Sequence, residues 1–231
     1  MSFLRSGLFL LWFLAVTTLL SLVFLPVLLL PRGATAWLAR VWSRATFFGL
    51  WLLAGIDWQV RGTPPRGPVL VASKHMSMWD TLALWLVLDS PGIVLKRELL
   101  RIPFYGWFLW KAAAIPIDRS AGSRALRKMH HDARAVLAQG RPILIFPEGT
   151  RKQPGAAPDY KPGVAGLYAM LDVACVPVAL NSGAYWTGFT KRPGTIVLEF
   201  LEPIAPGLKR DAFMALLEQR IETATDRLLP R

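Results

Sequence analysis

Cysteine occurs once in the 231 residues, at position 175. That excludes an intrachain disulfide and any C-x-x-C metal site, and the apolar setting ACVPVAL makes Cys175 a packing residue. Histidine is nearly as scarce, with three copies at 75, 130 and 131. His130 and His131 fall in a charged helical segment with no partners at metal-ligand spacing, so they read as surface residues and no metal site is expected. No G-x-S-x-G occurs, which removes the serine-hydrolase elbow. Acidic residues are few as well: 15 against 27 basic ones, for a formal charge of +12. Such a balance suits an anionic partner, either nucleic acid or lipid. No internal repeat or low-complexity segment is present.

The most telling absence is local. Between Ser6 and Pro31 there is no charged residue at all: SGLFLLWFLAVTTLLSLVFLPVLLLP. The first twenty of these residues would form a helix of about 30 Å, one hydrocarbon thickness. The run is too long for a signal peptide, and no small-x-small cleavage site closes it. Pro26 is compatible with a kink or helix end, so the segment is either a crossing or a helix that enters one leaflet and turns back. A second apolar stretch, ATAWLARVWSRATFFGLWLLAGIDW, carries Arg40 and Arg44 four apart on one face. It reads as an interfacial helix whose arginines reach headgroups, or as a helix buried against the following domain. With such an anchor and ten tryptophans, anionic lipid is the expected partner and nucleic acid is not.

After Asp57 the texture changes to short apolar runs alternating with helical segments. Strands are expected at PVLVAS (68–73), GIVLK (92–96), AAIPID (113–118), PILIFP (142–147), ACVPVAL (174–180) and TIVLEFLEPI (195–204). Helices are expected at about 79–88, 121–138, 162–170 and 210–228. Alternation on this scale argues for an α/β layer domain.

What is present in that domain is chemically specific. His75 follows the strand VLVAS, where α/β folds expose functional side chains, and Asp80 lies five residues on. An imidazole removes protons near neutral pH, and a carboxylate on its other nitrogen fixes the tautomer. Five residues advance a helix by about 140° beyond a full turn. The pair therefore meets only if His75 precedes a helix that Ser77 caps and Asp80 sits in its first turns. Alone, H-x4-D is also compatible with two unrelated surface residues. The run RPILIFPEGTRK is more telling: a strand enters Glu148, Gly149, Thr150, Arg151 and Lys152. Gly149 permits a tight turn, Arg151 has the planar fork that grips phosphate, and Lys152 adds charge. Glu148 is suited to orient Arg151 or bind a substrate hydroxyl. A third segment, AIPIDRSAGSRALRKMHHDAR, exposes Asp118 and Arg119 at a strand end. Arg124, Arg127 and Lys128 read as a solvated helix face.

Together these segments resemble the glycerophospholipid acyltransferase family, and within it the bacterial 1-acyl-glycerol-3-phosphate acyltransferases. The resemblance covers about residues 60 to 205. Its H-x4-D block matches His75 to Asp80, its second block Ile117-Asp118-Arg119, its third FPEGTR from Phe146 to Arg151, and its fourth Val176 to Leu180. Lys74 matches the residue usual before the histidine. The resemblance implies an α/β fold with a mixed central sheet flanked by helices. An N-terminal hydrophobic two-helix membrane module would precede it, residues 1–58 leading into an acyltransferase domain at 59–231. It implies transfer of a fatty acyl group from an acyl thioester to the sn-2 hydroxyl of lysophosphatidic acid. His75 and Asp80 would be catalytic. Arg119, Glu148, Gly149, Thr150 and Arg151 would hold the acceptor and its phosphate, with Lys74, Ser77 and Lys152 in support. The donor is acyl-CoA or acyl carrier protein, no cofactor is implied, and the expected location is the bacterial inner membrane with the catalytic domain facing the cytoplasm. Two other readings stand beside this one: acylation of another lysolipid, such as a lysophospholipid or an amino-acid-headed lipid, and a membrane lipid-binding protein without catalysis.

Overall fold

The computed structural model describes residues 2–88, 90–102, 104–112, 114–118 and 122–230. Its centre is a seven-stranded sheet in the order β1 (Ile56–Arg61), β9 (Gly194–Phe200), β6 (Cys175–Leu180), β2 (Leu70–Ser73), β5 (Ile143–Ile145), β3 (Gly92–Lys96) and β4 (Ile115–Ile117). Between β6 and β9 in the chain lie the short helix α7 (Ser182–Tyr185) and a two-stranded ribbon of β7 (Trp186–Thr187) and β8 (Thr190–Lys191). The runs LVAS, ILI and CVPVAL form β2 (Leu70–Ser73), β5 (Ile143–Ile145) and β6 (Cys175–Leu180), every residue of which is buried. Continuous rather than alternating hydrophobicity is what a strand covered on both faces requires. With β3 (Gly92–Lys96) and β4 (Ile115–Ile117) these strands run parallel. Beyond β6, β9 (Gly194–Phe200) turns antiparallel, and β1 (Ile56–Arg61) joins it in parallel at the edge. The sheet is therefore mixed, as expected.

Helices cover both faces. On one lie α1 (Ser2–Val23), α2 (Arg32–Gly49) and α3 (Met78–Val87), packed over a core that includes Val71, Trp79, Leu84 and Ile196. On the other lie α5 (Gly122–Leu137), α6 (Gly163–Leu171) and α8 (Arg210–Leu228), over Leu70, Met129, Tyr168 and Phe213. Each fully buried Leu, Ile or Phe in these clusters contributes about 1.5–3 kcal/mol.

Three features depart from the expected elements. The strand expected over 195–204 ends at Phe200, and the chain beyond it meets β6 again at a bridge between Cys175 and Ile204. Pro177 falls opposite this gap. Its carbonyl accepts from Leu201 N–H at 3.0 Å, so its missing donor faces the break in the ladder and costs no sheet bond. A turn of 3-10 helix at Arg97–Arg101 and the helix α4 (Tyr105–Lys111) fill a stretch for which no element was expected. β1 runs through positions 58 and 59, so the N-terminal segment feeds straight into the sheet.

α1 and α2 form an antiparallel hairpin. Trp12 Nε1 donates to Ala45 O and Trp42 Nε1 to Thr17 Oγ1, both at 2.9 Å, and Phe24 meets Trp37 near the turn. The close approach demands Gly49: a Cβ there would lie 2.2 Å from Trp12 Cδ1. Both ends of the hairpin touch the domain. Ser6 Oγ accepts from Lys191 N–H at 2.8 Å, while Leu28, in the turn, shares a shallow groove with Trp107 and Trp110 of α4. Among the described residues, only α1 is long and apolar enough to cross a membrane, so of the expected two-helix module one helix meets the length and composition of a span. α2 instead buries Ala36, Leu38 and Phe47. Of its arginines, Arg44 is exposed, but Arg40 turns inward to donate to Ser90 Oγ at 3.2 Å, which corrects the expectation that both reach headgroups.

Candidate active site

β2, β5 and β6 are parallel neighbours, so their C-terminal ends share one edge of the sheet. The chain leaving β2 carries Lys74 and His75, that leaving β5 carries Glu148 to Lys152, and that leaving β6 carries Asn181 and Ser182. α/β sheets build their sites at this edge because the ladder bonds have ended and side chains are free to converge.

The H-x4-D geometry is solved by a helix start. Ser77 is the N-cap of α3 and accepts from Trp79 N–H, and Asp80, at the third helical position, folds back to close a capping box. The Asp80 carboxylate reaches further than a cap needs. Oδ2 accepts from Ser77 N–H at 2.9 Å, from Met76 N–H at 2.7 Å and from His75 Nδ1 at 2.9 Å. Oδ1 accepts from Ser77 Oγ and from Ser182 Oγ. Asp80 is 0% exposed and His75 13% exposed, so the carboxylate is enclosed while the ring reaches the surface. With Asp80 on Nδ1, the proton resides there and Nε2 carries the free lone pair. The ring lies against Phe146, centroids 3.9 Å apart.

The loop after β5 is clamped to the same place. Its turn closes through Gly149 N–H to Phe146 O at 2.9 Å, with Gly149 at φ +63°, a left-handed conformation that favours glycine. Lys152 N–H donates to His75 O at 2.9 Å. Thr150 and Arg151 stand exposed at the rim, and Lys152 Nζ lies 3.5 Å from Asp159. Glu148 faces inward. Fully buried, it accepts from His75 N–H through Oε2 at 3.0 Å and holds Lys74 Nζ at 2.7 Å through Oε1. Lys74 is equally enclosed and also meets both oxygens of Glu222 at 2.8 Å. Burial opposes its charge, but the two carboxylates outweigh it and raise the Lys74 pKa. Burial likewise raises Glu148, against the pull of Lys74. Arg119 lies outside the described residues; Asp118 pairs with Arg97 at 3.1 Å.

Sequence reasoning passed over Ser182 and Glu222. Ser182 had a usable signal, following a buried strand at the same sheet edge as His75; Glu222 had none beyond a place on a helix. An apolar cavity of about 140 Å³ opens beside α3, lined by Leu20, Trp42, Leu82, Trp85 and Phe108 among others.

An imidazole oriented by a buried carboxylate, with an exposed arginine on the loop clamped to its backbone, is the equipment of a group-transfer enzyme that works by general acid–base catalysis. The family model described as Acyltransferase matches residues 58–181. The 1-acyl-sn-glycerol-3-phosphate acyltransferase of Pseudomonas aeruginosa is 38% identical over 172 residues, 71% of this chain and 66% of that protein. The alpha enzyme of the same description from Ovis aries is 32% identical over 212 residues, 86% of this chain and 73% of that one. The crystal structure of the 1-acyl-sn-glycerophosphate (LPA) acyltransferase PlsC from Thermotoga maritima superposes with a TM-score of 0.81. That match covers 99% of this chain and 98% of the other at 21% identity, a likeness of fold. The chain belongs to the acyltransferase family.

Proposed function

We propose that the protein transfers a fatty acyl group from an acyl thioester, carried by coenzyme A or acyl carrier protein, to the sn-2 hydroxyl of 1-acyl-sn-glycerol 3-phosphate, forming phosphatidic acid. The observation that carries this reading is the His75–Asp80 pair, with Nδ1 held at 2.9 Å by a carboxylate that is itself fully enclosed. His75 Nε2 takes the proton of the acceptor hydroxyl as its oxygen attacks the thioester carbonyl. Asp80 stabilises the imidazolium, which returns the proton to the departing thiolate as the C–S bond breaks. No residue of the chain is acylated on this route. Arg151 at the rim, with Arg119, Gly149 and Thr150, receives the acceptor phosphate; a guanidinium fork suits its oxygens. The cavity beside α3 offers apolar walls to an acyl chain, each buried CH₂ of which contributes about 0.8 kcal/mol.

The test is transfer by the purified full-length protein, offered lysophosphatidic acid, a lysophospholipid and an amino-acid-headed lysolipid with both donors in parallel. Transfer selective for lysophosphatidic acid, abolished by His75→Ala in protein that stays folded, is the expected result. Equal use of all acceptors would reassign the substrate, and near-normal turnover of the variant would remove the general base.

Residues 1–58 act as the membrane module, its last three already paired into β1 of the sheet, and 59–231 as the catalytic domain, facing the cytoplasm of a bacterium. The hairpin's contacts at both Ser6 and Leu28 support shallow insertion over a plain crossing, since they keep both ends beside the domain. Cysteines placed at the exposed positions 2 and 33, in a Cys175→Ser background, are expected to label from the cytoplasmic side together. Labelling from opposite sides would establish a true span.

A further inference from the structure

Four side chains converge behind His75, and the acyl-transfer steps use none of them directly. Lys74 Nζ lies 2.7 Å from Glu148 Oε1 and 2.8 Å from each oxygen of Glu222, and Tyr160 OH donates to Glu222 Oε1 at 2.8 Å. They come from three separate segments: the exit of β2, the connection between β5 and α6, which carries both Glu148 and Tyr160, and α8. Lys74 and Glu148 have exposures of 2% and 0%, so neither is a surface ion pair. Burying ionised groups is costly, and such a cluster persists only where its hydrogen bonds and ion pairs offset that cost. Here the ammonium donates to both oxygens of Glu222 at 2.8 Å and meets Glu148 Oε1 at 2.7 Å as an ion pair, without hydrogen-bond alignment.

The outlet of the cluster is the backbone of the general base. The second oxygen of Glu148 accepts from His75 N–H at 3.0 Å, and four residues after Glu148 the same loop returns through Lys152 N–H to His75 O at 2.9 Å. Both polar groups of the His75 peptide backbone are thus held by the segment that carries Arg151. Asp80 fixes the ring, and Glu148 fixes the chain that bears it.

We infer that Glu222, Lys74 and Glu148 form a positioning device in which the C-terminal helix holds the Glu148 carboxylate on the His75 amide, tying the general base to the arginine loop. Glu148 then acts on His75 and does not contact the acceptor. Glu222 becomes a determinant of turnover although it lies far along the chain from every motif. Tyr160 secures Glu222 from the other side; burial lifts its phenol well above the ordinary range, so it stays a donor. This inference rests on the function proposed above and adds the residues that set the geometry of its site.

The experiment measures kcat and KM for lysophosphatidic acid in full-length Glu148→Gln, Lys74→Met, Glu222→Leu and Glu222→Gln, with thermal melting to establish that each is folded. Displacing a reacting group by about 1 Å costs on the order of 100-fold. Glu148→Gln and Lys74→Met are expected to lose about that in kcat, with KM within about twofold, the pattern of misplaced chemistry rather than lost binding. Glu222→Leu should lose about tenfold. Glu222→Gln, whose amide oxygen still accepts from Lys74, should recover most of it, which a packing role for α8 would not explain. Because the residues act in series, Lys74→Met with Glu222→Leu should be no slower than Lys74→Met alone. A large rise in acceptor KM at unchanged kcat for Glu148→Gln would make Glu148 a substrate contact and overturn the inference. So would a folded Glu222→Leu with wild-type kcat, or full additivity in the double variant. Wild-type protein with no transfer activity would refute the function itself, a result distinct from all of these.

Discussion

Replacing Asp80 with asparagine separates two things that a catalytic carboxylate does. Oδ2 receives three donors, from His75 Nδ1 and the amides of Met76 and Ser77, whereas Oδ1 receives only the hydroxyls of Ser77 and Ser182. Backbone amides cannot become acceptors. An asparagine must therefore place its oxygen at the Oδ2 position and its NH₂ toward the two hydroxyls, which can rotate to accept. The tautomer of His75 and the capping box both survive. Only the negative charge is lost. A unit charge about 4 Å from the imidazolium centre is worth about 4 kcal/mol at an effective dielectric constant of ~20, which corresponds to about 10³-fold in rate. Asparagine in a site that lets it flip would cost about 10⁴-fold, because the wrong tautomer is added. The assay is initial-rate transfer to lysophosphatidic acid at saturating donor, with a melting curve to establish that stability changes by no more than about 1 kcal/mol, the worth of a cap. A loss below tenfold in folded protein would refute the reasoning, since no arrangement of these donors compensates for the charge.

Arg151→Lys keeps the charge at the exposed rim but loses the planar fork, and should raise acceptor KM about tenfold with phosphate-bearing lysolipid only; equal impairment with a phosphate-free acceptor would make the residue structural. Gly49→Ala places a methyl 2.2 Å from the Trp12 ring, so the hairpin should lose about 1–3 kcal/mol to overpacking, read as a lower melting temperature; an unchanged melt would mean that Trp12 moves freely. Lys191 is buried with its Nζ above Trp186, and burial lowers its pKa from 10.5 to about 8. A lysine lowered in the folded state burdens folding fully below pH 8 and not at all above 10.5. Stability should therefore rise between these values in the wild type relative to Lys191→Met, and parallel melting-temperature profiles would contradict this.

The parts of this protein legible from sequence are those governed by short-range physics. The uncharged run at 6–31, the buried strands LVAS, ILI and CVPVAL, and the placement of Ser77 as cap with Asp80 behind it depend on patterns within one element. Even the meeting of His75 with Asp80, awkward on a continuous helix, follows once the helix is known to begin between them. The tertiary structure decided what lies across the sheet edge. Ser182 reaches Asp80, and Glu222 reaches Lys74, only because β6 and α8 dock beside β2, contacts spanning 102 and 148 residues of chain. Glu148 shows the limit most plainly: its motif placed it correctly in the loop after β5, but the direction of its side chain was set by the buried ammonium of Lys74 at the exit of β2. Arg40 is the same case on α2, since helical spacing puts it on a face and only packing says what that face meets. Spacing fixes position along a local axis. The partner of a charged side chain depends on which distant segment arrives to replace its water, and that is a property of the packed fold.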